Sequence, residues 1–171
     1  MEAKGKKRIT HFCKFALLDR IEFSARSIFS NFADIELPPA NRNTALPRQY
    51  DSKELITATI RFDGIYKGLL ALHCPEPLAI QLATGILGVR PDDASTDVHN
   101  VLEEAINILG GDIKLFLESG GKQISLSTPR VYCENVQHEN QLCSETESLN
   151  CSFGYGAQKV TVGVVLKRNL Q

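Results

Sequence analysis

Glu104, Asn107 and Gly111 stand three and four residues apart, and Asn100 lies four residues before Glu104. On a helix those spacings put all four on one stripe. A carboxamide such as Asn107 can accept a hydrogen bond from a water while donating one to a neighbouring oxygen, which holds the water for attack. A carboxylate such as Glu104 suits a contact with a cation. Left alone, the two hydrolyse nothing. The chain shows no Ser/His/Asp set, no paired carboxylates at fixed spacing and no phosphate-cradling P-loop. His99 has no Ser or Cys nucleophile at motif spacing and reads as a surface histidine. Glu104 and Asn107 make sense as part of an active site if the rest of it arrives on another protein.

The element that carries these residues is a helix from Asp97 to Ser119. Val98, Val101, Leu102, Ala105, Ile106 and Leu109 gather on one broad apolar arc, and the Asn100–Glu104–Asn107–Gly111 stripe stands opposite. Any amphipathic helix has a polar back, but ordinary backs use Lys, Glu, Gln or Ala. Asn107, Gly110 and Gly111 together cost a helix interior about 2–3 kcal/mol relative to Ala. A locally poor choice without visible compensation marks a functional site.

Glu104-Ala-Ile-Asn107 followed by Gly111 resembles the E-x-x-N-x-x-x-G signature of the CheC/CheX/FliY phosphatases of bacterial chemotaxis. Phe62 to Gly88 resembles the hairpin and helix that precede the signature helix in CheX-like domains, and Ile124 to Val131 resembles the Pro-containing strand that follows it. The likeness runs in order from about Glu54 to Leu166. Two departures stand out. Asn100 occupies a place where the pattern has Asp or Ser, and Ala25 stands where the first helix would carry the Asn of a second motif. One site is implied.

The resemblance implies the substrate as well: the aspartyl phosphate of a CheY-type receiver domain, which brings its own Mg²⁺ and Lys. Asn107 would then orient the water, Glu104 would pair with the receiver's Lys, and Gly111 would let the two backbones approach closely. Asn100 and Glu103 complete the implied contact surface. No cofactor of this chain's own is expected. Homodimers that pair sheet edges are a further family trait, and the final strand VTVGVVLK offers an edge. A non-enzymatic receiver-binding or flagellar-switch assembly module on the same fold is the alternative, and Asn100 is the residue that favours it.

The rest of the 171-residue chain must position the stripe. That length suits one domain, 1–171, with residues 1–8 as a frayed basic preface. A formal net charge of −1 argues against bulk attraction to nucleic acid or to a membrane surface. No apolar run approaches a membrane span, and five Cys without a C-x-x-C pair point to reduced thiols and the cytoplasm. Cys133, His138, Cys143 and Cys151 are too irregularly spaced for a zinc site, and the cysteines read as small apolar fillers in or beside strands.

Phe12 to Phe32 follows helical spacing, and Leu37 to Ser52, with three prolines, reads as a loop. Glu54–Phe62 and Tyr66–Cys74 form a hairpin about Asp63-Gly64. A short helix from Pro77 to Leu87 ends at Gly88, and Thr96 is the candidate N-cap of the long helix. Strands are expected at Gln123–Glu134, Leu149–Phe153 and Gln158–Lys167, the last two turning at Gly154-Tyr155-Gly156. Three helices and five strands in this order predict an α+β, CheC-like two-layer fold, an antiparallel sheet with helices on one face.

Overall fold

The computed structural model describes residues 11–44, 55–92, 96–118, 123–133 and 146–169. Three helices follow the apolar periodicities: α1 (His11–Ala33), α2 (Glu76–Leu87) and α3 (Thr96–Leu117). The strands are β1 (Asn41–Asn43), β2 (Leu55–Gly64), β3 (Tyr66–Pro75), β4 (Ile124–Leu126), β5 (Arg130–Tyr132), β6 (Glu147–Tyr155) and β7 (Gln158–Arg168). All pair antiparallel in one sheet of order β1-β6-β7-β3-β2-β4, with β5 also on β2. The architecture is α+β.

Alternation along the strands decides which face the helices cover. Ile56, Ala58, Ile60 and Phe62 of β2 join the buried cluster that also holds Ile21 and Ala25 of α1 and Leu102 and Ile106 of α3. On the opposite face the same strands carry a polar row, with Thr57 paired to His73, His73 to Thr161 and Thr161 to Ser152. These four are buried, so they need partners. Thr57 Oγ1 lies 2.9 Å from His73 Nδ1, and Ser152 Oγ lies 3.1 Å from Thr161 Oγ1.

Helix ends are closed by local geometry. Asp34 takes a φ of 55° after α1 and donates its N–H to the Ser30 carbonyl, while Ile35 N–H reaches the Phe29 carbonyl. Two such bonds after a left-handed residue satisfy the orphan carbonyls of the last turn. Gly88, at φ 72°, closes α2 with its N–H on the Thr84 carbonyl.

Several sequence expectations need correction. Asn41–Asn43, inside the stretch read as loop, forms β1 on the edge against β6. Arg42 fixes it there, giving hydrogen bonds to Glu22 and Asp19 of α1. The expected strand Gln123–Glu134 is two short strands, β4 and β5, separated at Ser127–Pro129, since Pro129 has no N–H to donate to a ladder. Helix α3 already includes Thr96, so Thr96 is its first residue rather than the cap before it. The strand VTVGVVLK is no edge. It lies in β7, hydrogen-bonded to β6 on one side and β3 on the other, so the edge pairing imagined for it is closed.

Candidate functional site

Helix α3 is fixed on three sides before its outer face is considered. Inward, Val98, Leu102, Ala105, Ile106, Leu109 and Ile113 are buried against the sheet. Gly110 belongs to this inner contact. A Cβ there would stand 3.0 Å from Ile60 Cγ2, tighter than ordinary packing, so Gly110 lets the helix settle on β2. On one flank Asp112 is held by α1: Ser24 Oγ donates to Oδ2 at 2.6 Å and Arg20 Nη2 donates to Oδ1 at 3.1 Å. On the other, His99 Nε2 lies 3.1 Å from the Sγ of Cys133, just beyond β5. Helix position is thereby over-determined.

What remains outward is the stripe. Asn100, Glu104 and Asn107 are exposed, and Gly111 is half-exposed with open space where a Cβ would stand. Among the described residues neither Glu104 nor Asn107 has a hydrogen-bond or ion-pair partner. Both polar groups are therefore open to solvent. Asp112, one residue past Gly111, shows the contrast, since both of its oxygens are occupied. Glu103 is half-buried and sits beside the stripe rather than in it, towards the His99 flank.

The two glycines thus differ in kind, which sequence alone did not reveal. Gly111→Ala is expected to stabilise the fold by about 0.5–1 kcal/mol, since the new methyl meets nothing and helix propensity improves. Gly110→Ala must displace Ile60 and gains less or loses. Urea titration of the two variants checks this, and a destabilised Gly111→Ala would contradict it.

Ala25 and Glu22 settle whether α1 carries a second acid–amide pair. Ala25 is fully buried, and Glu22 accepts hydrogen bonds from Arg42 and from the Ala40 N–H. Neither is displayed as Glu104 and Asn107 are. The Ser24–Arg20–Asp112 clamp went unnoticed in the sequence; its only local sign is the four-residue spacing of Arg20 and Ser24.

Of the suggested cysteine–histidine cluster, His138 and Cys143 lie outside the described residues. Cys151 is buried, its thiol pushed up to about 12 chiefly by desolvation, and Cys74 is raised further for the same reason. Such thiols are inert packing groups. Among the described residues no group of three His, Cys, Asp or Glu could hold a metal ion, and no helix is long and apolar enough to cross a membrane.

A helical layer on one face of an antiparallel sheet is the fold of the CheC-like class. Solved structures agree on the fold: a CheC-like superfamily protein from Shewanella sp. PV-4 superposes with a TM-score of 0.74 at 19% identity, covering 88% of this chain and 97% of that one. The chemotaxis protein CheX from Vibrio vulnificus gives 0.72 at 18% identity, over 89% and 99%. The CheX-CheY-BeF3-Mg²⁺ complex from Borrelia burgdorferi gives 0.70 at 16% identity, over 89% and 98%. Comparison with curated protein sequences gives no match. The family model described as chemotaxis phosphatase CheX matches residues 56–154. The chain belongs to the CheX family.

Proposed function

We propose that this protein speeds hydrolysis of the aspartyl phosphate on a CheY-type receiver domain, with Asn107 and Glu104 as its reactive pair. The observation that carries the reading is the display of both groups, unpartnered among the described residues, on the outer face of a helix held on three sides. The backbone that carries the pair is already fixed, so docking has only the two side-chain rotamers left to order. Family membership supports the reaction class. The Borrelia burgdorferi CheX bound to CheY is a fold relative whose complex has the same composition.

Asn107 works by position. Its carbonyl oxygen accepts from the attacking water and its NH₂ donates to a phosphoryl oxygen, so the water is held in line with phosphorus. Glu104 would be repelled by a bare phosphoryl group and is useful there only as partner to a cation. The receiver's Lys supplies one, and the contact fixes the register of the two proteins. The divalent cation of the reaction comes with the receiver. Asn100 and Glu103 lie at the N-terminal end and the side of the stripe, where they contact the docked domain, and Gly111 admits its backbone. The reaction takes place in the cytoplasm, a placement supported by the free thiols of Cys74, Cys133 and Cys151.

The test is phosphate release from a phosphorylated receiver, compared with its spontaneous rate. Added protein should shorten the phosphoryl lifetime. Binding of the phosphorylated receiver without acceleration would overturn the enzyme and leave the assembly module, with Asn100 the first position to restore to Asp or Ser.

A further inference from the structure

We infer that the docking surface continues off α3 onto α1, where Phe23 and Leu115 form an apolar anchor for the same receiver domain. This rests on the reading above that the stripe receives that domain.

Leu115 follows Gly111 by four residues and extends the stripe one turn further. At about 100° per residue it falls between Gly111 and Asp112 on the wheel, so it leans towards α1. It is 67% exposed. Across the seam stands Phe23, 62% exposed, although its neighbours Ile21, Ser24 and Ala25 are buried. Arg20 joins the two helices: its guanidinium carbon sits 5.6 Å from the Phe23 ring centroid, and its Nη2 donates to Asp112. Ser24 pins Asp112 from the buried side. Phe23 is thereby held outward by a cation that is itself held.

Two further features tie this pair to the stripe. Space beside Gly111 is open, so a partner reaching Asn107 passes to Leu115 without obstruction. The Arg20 charge is neutralised by Asp112, so the seam repels neither sign. A rigid, exposed aromatic next to a displayed polar site is the kind of residue that carries binding energy in interfaces. A polar reactive pair such as Glu104 and Asn107 provides little apolar area of its own, and the anchor supplies it.

Anchor and chemistry should separate kinetically. In steady-state dephosphorylation, the double variant Phe23→Ser, Leu115→Ser should raise KM for the phosphorylated receiver by at least about tenfold and leave kcat within about twofold. Affinity for the beryllofluoride-activated receiver should fall by the same factor. Val89→Ser, an equally exposed apolar residue after α2, serves as control and should change neither. Thermal unfolding confirms that the variants fold, as expected for exposed positions. An unchanged KM and affinity in the double variant, with wild-type acceleration intact, overturns the anchor while sparing the proposed function. Absence of acceleration by the wild type removes the function instead, and unchanged binding in that case removes the anchor too.

Discussion

Asn107→Ala is expected to slow dephosphorylation of the receiver by about 10²-fold or more while leaving affinity nearly unchanged, the size and signature of lost positioning. The side chain is exposed and has no partner among the described residues, so truncation breaks no internal contact and opens no cavity. Ala is also the better helix former, and the variant should unfold no earlier than wild type. The deficit then belongs to the reaction alone. Asn107→Asp sharpens the test. It keeps the shape but removes the NH₂ donor and places a negative charge against the phosphoryl group, so its rate should fall at least as far. Single-turnover phosphate release at saturating protein reads the chemical step. An equal loss of affinity in Asn107→Ala would make the residue a docking contact, and an unchanged rate would place water orientation elsewhere.

How far the sequence foretold this site depends on the range of each signal. The α3 stripe was legible because spacing of three and four residues is local, and poor helix formers among good ones stand out at once. The β2–β3 hairpin and the Gly88 stop were legible for the same reason: turn chemistry resides in the residues themselves. Long-range pairing was not. Strand β1 is three polar residues inside a Pro-rich stretch, and it exists because Arg42 is caught by Glu22 and Asp19, some twenty residues away on α1. Nothing in NRN itself encodes a strand.

Strand β7 failed in the opposite way. Its apolar, β-branched run fits a sheet edge or centre equally well by composition, and only the β3 pairing places it inside. The Asp112 clamp spans 88 and 92 residues of sequence, beyond the reach of periodicity. Gly110 and Gly111, adjacent and identical in type, were separable only once Ile60 was seen beneath one of them. The sequence thus marked the exposed face of α3, whereas the contacts that hold that face in place emerged from the fold.

Charge reversal at Glu104 should have the largest effect on binding of any single change on the stripe. Truncation and reversal both weaken binding but by different amounts, which makes the pair of variants informative. Glu104→Ala removes one attraction to the receiver's Lys; Glu104→Lys replaces that attraction with a repulsion of similar size. Two unit charges about 4 Å apart interact by about 1 kcal/mol in bulk water and about 4 kcal/mol at an effective dielectric constant near 20. The site lies at the exposed end of that range when free and moves inward as the partner covers it. Glu104→Ala should therefore weaken binding by about tenfold, and Glu104→Lys by at least about 10²-fold. Salt supplies the second axis. For wild type, raising ionic strength from 0.01 M to 1 M shortens the screening length from about 30 Å to about 3 Å, and affinity should fall. Glu104→Ala should flatten that dependence, and Glu104→Lys should invert it, binding better at high salt than at low. Titration of the beryllofluoride-activated receiver across this salt series reads all three. A flat wild-type profile, or a Glu104→Lys variant that binds as tightly as Glu104→Ala at low salt, would mean that no cation faces Glu104 in the complex. Asn107 would then be left to set the register alone.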